Sequence, residues 1–318
     1  MNLSAGILAN VTPLQRYIAE EIATDHVDGL LSRREAIRRL GLLGVTAAAA
    51  TALIAACGDE KKPTAADQTP PSPATQSTQS TSQEPPPGMA NALATTPITW
   101  AGPNGELQGA WADAADPRGA VLVIHENKGL NDWGRSVAGR LAGAGYSALA
   151  IDLLSEEGGT AKFTDPAEAT AALGKGAPER FVADLRSGLD ELARRVPDKK
   201  LAVMGFCFGG GLTWRLLAAG ESRLAAALPF YGPLPDNPDF AGSKQAAVLG
   251  FYGSLDTRVT SSEGAAKAAL DKAGLINELV VETDADHAFF NDTGPRYDPV
   301  AAADAWQRVG DWFGKYVG

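Results

Sequence analysis

A cysteine at position 207 stands where the surrounding pattern favours a nucleophile. Cys207 follows an apolar run and lies in the glycine-rich segment Gly205–Gly211, ahead of the helical pattern Leu212–Ala219. Glycines on both sides of a reactive residue favour the strained strand-to-helix turn that lifts a nucleophile above a sheet. The helix N-terminus and the backbone N–H of Phe208 would then stabilise a thiolate and a developing oxyanion. The alternative is a buried structural cysteine beside a tight turn.

An aspartate and a histidine further along the chain complete a candidate triad. Asp256 lies after the apolar run Ala247–Tyr252, and His287 lies after Glu278–Glu282. Nucleophile, acid, histidine is the chain order of α/β-hydrolases. Because the carboxyl ends of parallel strands meet at one edge of a sheet, we expect the three side chains to lie together. His287 would take the proton of Cys207, and Asp256 would orient the imidazole ring.

The composition limits the other classes of function. The 318 residues carry 38 acidic against 28 basic side chains, a formal net charge of −10, which disfavours a cationic surface for nucleic acid. Two cysteines and three histidines are too few for a disulfide framework or a four-thiolate zinc site. His26 lies near the N-terminus, and His125 precedes the nucleophile, so we expect His125 to pack or to hydrogen bond to a loop. We therefore predict neither a metal nor a cofactor.

Short apolar runs alternate with amphipathic helical patterns from Thr96 to Gly318. This alternation predicts an α/β fold with a mostly parallel sheet and helices on both faces. Residues near 98 to 111 would add an antiparallel pair. Helical spacing is clearest in Pro178–Val196 and between Ala302 and Tyr316, whose apolar stripe should pack in the core. The strands predicted to be buried on both sides are Ala120–His125, Tyr146–Asp152, Leu201–Gly205, Leu224–Tyr231, Ala247–Tyr252 and Glu278–Glu282.

Five separated segments carry a resemblance to a known family. They are His125–Leu130, Gly205–Gly210, Phe230–Gly232, Gly253–Asp256 and His287–Phe289. Together they resemble the dienelactone hydrolases (carboxymethylenebutenolidases) over about residues 97 to 318. The resemblance implies an α/β-hydrolase fold and a hydrolase that cleaves a small carboxylic ester or lactone through a thioester acyl-enzyme. Cys207, His287 and Asp256 would form its triad.

The resemblance also assigns roles around the thiol. It implies that Glu126 keeps the resting thiol of Cys207 protonated and releases it when substrate binds. This role is physically sound, because a carboxylate beside a thiol disfavours the thiolate and can share its proton. The backbone N–H of Asn127 would be the second oxyanion donor, beside that of Phe208.

The sequence departs from lactone-specific members of this family where substrate is held. Four residues after the histidine, those members have an arginine that clamps the substrate carboxylate, and this chain has Asn291; Ala288 replaces a serine. Because an amide cannot supply the charge of a guanidinium, dienelactone itself is not the expected substrate. Arg180 and Arg258 are the candidates for another cation. The expected pocket residues are Trp133, Phe208, Tyr231 and Asn291.

The first 56 residues predict an export signal. Four arginines between positions 33 and 39 precede the apolar run Gly41–Ala56. The segment Ser32–Arg38 resembles the twin-arginine motif, with Ala36 in place of the usual aromatic residue and Arg38 in place of the usual lysine. The run ends in Ile54–Cys57, which resembles the lipobox of bacterial lipoproteins, where the cysteine is lipidated and becomes the new N-terminus. The alternative is a buried, alanine-rich helix that ends at an unremarkable Cys57.

A tether follows this cysteine. Residues 58 to 88 include seven Pro, nine Ser or Thr and four Gln, a composition that cannot bury a core. The chain therefore divides into a signal at 1–56, lipidated Cys57 with a disordered linker at 57–96, and a hydrolase domain at 97–318. We expect the twin-arginine machinery and a membrane as partners. The protein would sit in a bacterial cell envelope, on the outer face of the cytoplasmic membrane or in the periplasm.

Two other functions remain open. A small-molecule-binding lipoprotein could use an inactive hydrolase scaffold, although the complete triad argues against it. A thiol-redox protein could use Cys207, but the sequence offers no resolving cysteine.

Overall fold

The computed structural model describes residues 11–60 and 84–318, without the side chains of residues 58–60. The chain forms two compact units, Met1–Pro85 and Pro86–Gly318. The predicted linker falls mostly on residues 61–83, which lie outside the described residues. Its last part, from Pro86, belongs to the second unit, where Leu93 donates a backbone hydrogen bond to Gly139 O at 2.9 Å.

The first unit contains three described helices, Pro13–Val27 (α1), Arg33–Leu42 (α2) and Ala47–Glu60 (α3). Thr12 and Gln15 form a capping box at the start of α1, and Ser32 caps α2 through the N–H of Glu35. The apolar run predicted from Gly41 to Ala56 is therefore divided between two helices. Within the described residues, none of the helices has the length and hydropathy needed to span a membrane.

The second unit is built on one sheet of eight described strands. These are β1 (Thr96–Ala101), β2 (Glu106–Ala112), β3 (Gly119–Ile124), β4 (Tyr146–Asp152), β5 (Leu201–Phe206), β6 (Leu224–Phe230), β7 (Ala247–Gly253) and β8 (Asn277–Glu282). Their order is β1-β2-β4-β3-β5-β6-β7-β8. The pairs β1/β2 and β2/β4 are antiparallel, and the other pairs are parallel. The predicted α/β architecture and its antiparallel pair are confirmed.

Helices cover this sheet. They are α4 (Asp132–Gly143), α5 (Pro166–Lys175), α6 (Pro178–Arg195), α7 (Phe208–Ala218), α8 (Thr257–Thr260), α9 (Glu263–Ala273) and α10 (Pro299–Tyr316). The apolar stripe predicted for α6 is fully buried at Phe181, Leu185, Leu189 and Leu192. On α10 the stripe is buried at its centre, whereas Trp306 and Tyr316 are only half-buried.

Burial of the strands follows their position in the sheet. The central strands β3, β4, β5 and β7 are buried along their whole length because they have neighbours on both sides and helices on both faces. The prediction that the last strand is buried on both sides is wrong. It is the edge of the sheet, and Val281 keeps 42% of its surface exposed. The carboxyl ends of β3, β5, β7 and β8 lie at one edge of the parallel part.

Candidate active site

The nucleophile elbow has the strained geometry that its glycines predict. Cys207 has φ 54° and ψ −114°, directly between β5 and α7, and it is 2% exposed. Its N–H donates to Phe230 O at 3.0 Å, which ties the turn to the neighbouring strand. A Cβ at Gly205 would lie 2.2 Å from Gly209 O, so only glycine allows the turn to close. A non-glycine residue in this conformation is costly and persists where the surrounding structure enforces it.

His287 and Asp256 meet beside this cysteine. Nδ1 of His287 and Oδ2 of Asp256 are 2.6 Å apart, and both side chains are buried. A ring nitrogen of His287 lies within 4.8 Å of Cys207 Sγ. Because Asp256 engages Nδ1, Nε2 is the nitrogen that can exchange a proton with the thiol. The structure thus brings together the three residues that sequence order selected.

Asp256 is held as an anion. Burial raises its pKa, but the charge and hydrogen bond of His287, with a further contribution from Arg258, lower the pKa to about 2. The carboxylate is therefore ionised throughout the neutral range. An anion at this distance would stabilise His287 in its protonated form.

Glu126 accepts hydrogen bonds on both carboxylate oxygens. The hydroxyl of Tyr231 donates to Oε1 at 3.4 Å, and Nδ2 of Asn291 donates to Oε2 at 2.8 Å. Burial raises the pKa of Tyr231 well above its usual value, and the charges of Glu126 and Cys207 raise it further. The phenol therefore stays protonated and can act only as a donor to Glu126. Its ring also packs edge-on against His287, with the centroids 5.2 Å apart.

Asn291, predicted as a pocket residue, has a fixed orientation. Its Oδ1 accepts hydrogen bonds from the backbone N–H of Thr293 at 3.0 Å and from the Thr293 hydroxyl at 2.7 Å. With Oδ1 committed to two donors, the amide nitrogen must point to Glu126. Sequence analysis did not identify this contact, which joins two residues 165 positions apart.

Trp133, also predicted to line the pocket, is 3% exposed and has a polar contact that the sequence did not indicate. Its indole N–H donates to Asp292 Oδ1 at 2.9 Å, and its ring packs edge-on against Phe206 at 4.9 Å. The same oxygen of Asp292 accepts a 2.7 Å hydrogen bond from Arg140, which is 1% exposed. Asp292 therefore anchors the segment after His287 to α4. The sequence signal for this role is only the adjacency of Asp292 to Asn291.

The expected substrate cation is not supplied by Arg180. Its guanidinium donates to both carboxylate oxygens of Glu157, at 2.6 and 3.0 Å, and to Leu153 O at 2.8 Å. These bonds hold the loop after β4 and commit the charge of Arg180 to a protein carboxylate. Arg258 is close enough to Asp256 for its charge to lower the pKa of that carboxyl.

The two predicted oxyanion donors lie at the ends of neighbouring strands. Asn127 follows β3 and is buried, and Phe208 is the first residue of α7. Strand β3 pairs directly with β5, so that Ile124 lies opposite Gly205. His125, between β3 and this loop, hydrogen bonds to the loops around it as expected. Its ring lies parallel to that of Phe208, with the centroids 6.4 Å apart.

Known proteins share both the sequence and the fold. A model of the dienelactone hydrolase family matches residues 108–317. A Salmonella typhimurium protein described as a carboxymethylenebutenolidase is 36% identical over 219 residues, which cover 65% of this chain and 80% of that protein. The crystal structure of a protein described as a dienelactone hydrolase from Klebsiella pneumoniae is 31% identical, with a TM-score of 0.62 over 70% of this chain and 100% of that chain.

A second solved structure is similar over the same region. It is a dienelactone hydrolase-like promiscuous phosphotriesterase from metagenomic libraries, 27% identical, with a TM-score of 0.60 over 71% of this chain and 100% of that chain. The family match spans more than half of the chain and includes the elbow, the acid loop and the histidine loop. The chain is therefore a hydrolase of the dienelactone hydrolase family, with the α/β-hydrolase fold.

Proposed function

We propose that the protein cleaves a carboxylic ester or lactone through a thioester on Cys207, with His287 and Asp256 as the other members of the triad. Membership of the family makes the chain a hydrolase of lactones or esters. The observation that supports this mechanism is the 2.6 Å contact between His287 and Asp256, with a histidine ring nitrogen within 4.8 Å of Cys207 Sγ. This grouping of a thiol, an imidazole and a buried carboxylate supports acyl transfer with a nucleophile, a base and an orienting acid.

The reaction then has two halves. His287 accepts the thiol proton as Cys207 attacks the carbonyl carbon, and the N–H groups of Phe208 and Asn127 receive the developing oxyanion. When the tetrahedral species collapses, the C–O bond breaks and His287 gives its proton to the leaving alkoxide. Water attacks the thioester with His287 as base, the C–S bond breaks, and the carboxylic acid leaves while the thiol is restored.

Glu126 regulates the nucleophile in this proposal. The charges of Glu126 and Cys207 both raise the pKa of Tyr231, so the carboxylate and the thiol both lie close to this phenol. The carboxylate of Glu126 disfavours a resting thiolate, because a second negative charge in the same buried site is energetically unfavourable. Substrate that disturbs the contacts of Glu126 with Tyr231 and Asn291 would remove this restraint and activate the thiol.

A neutral ester or lactone fits this site better than a carboxylated one. Asn291 supplies an amide to Glu126, and Arg180 is committed to Glu157. The chain as a whole is acidic, with a formal net charge of −10. A carboxylated substrate would therefore be repelled by the carboxylate of Glu126 and by the net negative charge of the chain.

The test is to trap the acyl-enzyme on the full chain. A rapid quench after mixing with p-nitrophenyl acetate should give an acetyl mass on the peptide that contains Cys207, and Cys207→Ala should lose both the adduct and turnover. Cys207→Ser tests the sulfur itself with little change in volume. Unchanged hydrolysis in Cys207→Ala would refute the mechanism, and stoichiometric ester binding without turnover in the wild type would favour the binding lipoprotein.

We also propose that residues 1–56 direct twin-arginine export and that Cys57 is lipidated, which would anchor the protein in a bacterial cell envelope. Arg33 and Arg34 are exposed at the N-terminus of α2, where a receptor could reach them. Mass spectrometry of protein from cells should show a lipidated Cys57 as the first residue. An intact N-terminus with a free Cys57 thiol would contradict the anchor.

Export itself has a matched control. The double variant Arg33→Lys, Arg34→Lys keeps the charge but removes the guanidinium pair that defines the motif, so this variant should remain in the cytoplasm. The matched double variant Arg38→Lys, Arg39→Lys changes the two arginines that pair with Glu35, and it should be exported. Equal export of the two double variants would refute recognition of the pair.

A further inference from the structure

His125 connects two loops at the carboxyl edge of the sheet. Its Nδ1 is 2.6 Å from Glu126 O, in the loop after β3. Its Nε2 accepts the backbone N–H of Leu153, just after β4, at 3.2 Å. The side chain is 1% exposed and stacks against Phe208. His125 therefore contacts both sides of the candidate oxyanion hole. It lies against the peptide between Glu126 and Asn127, and against Phe208, the other candidate donor.

The hydrogen bonds fix the tautomer of this histidine. A backbone N–H can only donate, so Nε2 must accept from Leu153 and the proton must be on Nδ1. Nδ1–H then donates to the carbonyl of Glu126. Burial lowers the pKa of His125, against the opposing charge of Asp152, and so favours this neutral form.

The carbonyl that His125 holds belongs to the same peptide as the N–H of Asn127. A trans peptide is planar, so its C=O and N–H point in opposite directions and cannot rotate independently; no cis peptide is present in the described residues. Fixing Glu126 O therefore fixes the direction of the Asn127 N–H. The hydrogen bond to Leu153 in turn holds the imidazole ring against β4.

We propose that His125 is a positioning residue that aims the Asn127 N–H at the substrate oxyanion. This inference rests on the proposed function, because an oxyanion forms only if Cys207 attacks a carbonyl carbon. His125 itself touches neither substrate nor reacting atoms. Its effect should appear in the rate of carbonyl attack and be absent from reactions of the same thiol that form no oxyanion.

Two reagents separate these effects in the full chain. Acylation by p-nitrophenyl acetate passes through an oxyanion. Iodoacetamide alkylates Cys207 by displacing iodide from a saturated carbon, which forms a C–S bond and no oxyanion. In His125→Phe and His125→Leu, which lose both hydrogen bonds, acylation should fall by ~10²–10³, the usual loss of an oxyanion donor, with KM and alkylation nearly unchanged.

A glutamine tests the hydrogen bonds directly. His125→Gln can donate from its amide nitrogen and accept at its oxygen, so acylation should stay within about tenfold of the wild type. Phe181→Leu is the matched packing control. Phe181 contacts the Phe208 ring edge-on at 5.5 Å, and this substitution should not change the ratio of acylation to alkylation.

The outcomes are distinct. Normal acylation in both apolar variants would overturn the inference, because His125 would then have no effect on the oxyanion donor. Equal losses in acylation and alkylation would also overturn it, because His125 would then act on the reactivity of the thiol. Thermal unfolding will show whether each apolar variant folds. If one of them does not fold, the other still provides the test. Hydrolysis that survives in Cys207→Ala would instead refute the proposed function itself.

Discussion

Asn291 donates from Nδ2 to Glu126 Oε2 at 2.8 Å, so that a neutral amide faces this buried carboxylate. The resemblance to lactone-specific members of the family implies an arginine at that position. A guanidinium could bind either Glu126 or a substrate carboxylate, whereas the amide adds no charge. Under the proposed function, this contact would link the choice of substrate to the control of the Cys207 thiol by Glu126.

Asn291→Arg should shift specificity towards carboxylated lactones. The added cation offers a bidentate partner for a substrate carboxylate and reduces the repulsion from Glu126. We expect the ratio of kcat/KM for dienelactone to that for a neutral aryl ester to rise at least ~10-fold, the effect of about 1.4 kcal/mol of selective binding. Asn291→Gln, which keeps an amide, is the control. An unchanged ratio in Asn291→Arg would show that this position does not contact substrate.

Asp256→Asn should lower kcat by about 10²–10⁴, because the amide cannot stabilise imidazolium and can favour the wrong tautomer of His287. Steady-state hydrolysis of a p-nitrophenyl ester measures the effect. Burst amplitude with the same ester shows whether acylation has become the slow step. An activity within twofold of the wild type would remove Asp256 from the triad.

Asp256→Asn should also change how the free energy of unfolding depends on pH under acidic conditions. The pKa of Asp256 is lowered from 3.8 to about 2, so ionisation of this carboxyl stabilises the fold above about pH 4, and the gain is lost as pH falls through 2. The contribution is roughly 2 kcal/mol. Denaturant unfolding between pH 5 and pH 2 should therefore show a shallower loss in Asp256→Asn. Asp311→Asn, at an exposed position on α10, should keep the wild-type profile.

The sequence was sufficient to predict that Cys207, Asp256 and His287 lie together, because each of them follows a strand. Cys207, Asp256 and His287 come after β5, β7 and β8, and parallel pairing of consecutive sheet neighbours brings their loops together. Local pattern also defined the elbow, since the glycine spacing around Cys207 depends on neighbouring residues only.

The contacts that tune the site were not predictable in this way. Glu126 meets Tyr231 from 105 positions away and Asn291 from 165 positions away, and nothing in the spacing of those residues indicates which oxygen each one binds. Arg180 was an available cation in the sequence, but the turn after β4 places Glu157 against it. The exposure of β8 depends on its being the edge strand, which is a property of the whole sheet.

The elbow should not tolerate a methyl group. A Cβ at Gly210 would lie 2.4 Å from Phe230 O, a backbone atom that is fixed within the sheet. Gly210→Ala should therefore destabilise the protein by about 1–3 kcal/mol, the range for an overpacked core. Gly310, on α10, has open space at its Cβ, and Gly310→Ala should instead stabilise by about 0.5–1 kcal/mol. Thermal unfolding of both variants tests the pair, and equal shifts would contradict the role of the close approach.

A buried carboxylate on α6 should limit stability above about pH 6. Asp184 is 1% exposed, and within the described residues neither of its oxygens has a hydrogen-bond partner; the Nε of Arg180 lies 3.6 Å from Oδ2. Burial, and then the charge of Glu156, raise the pKa of Asp184 to about 6 despite the attraction of Arg180. The folded state therefore favours protonated Asp184 more than the unfolded state does, and ionisation of this carboxyl destabilises the fold.

Asp184→Asn should relieve this opposition. For an acid whose folded pKa is raised, stability falls as pH increases from about 4, the unfolded value, through about 6. The asparagine variant should match the wild type near pH 4 and be more stable at pH 8, by about 1–2 kcal/mol once solvent screening is allowed for. Urea unfolding at the two pH values measures the difference, with Asp311→Asn as the exposed control. A variant that is less stable than the wild type at pH 8 would show that the ion pair with Arg180 outweighs the cost of burying the charge, since only a net attraction could make loss of the carboxylate destabilising there.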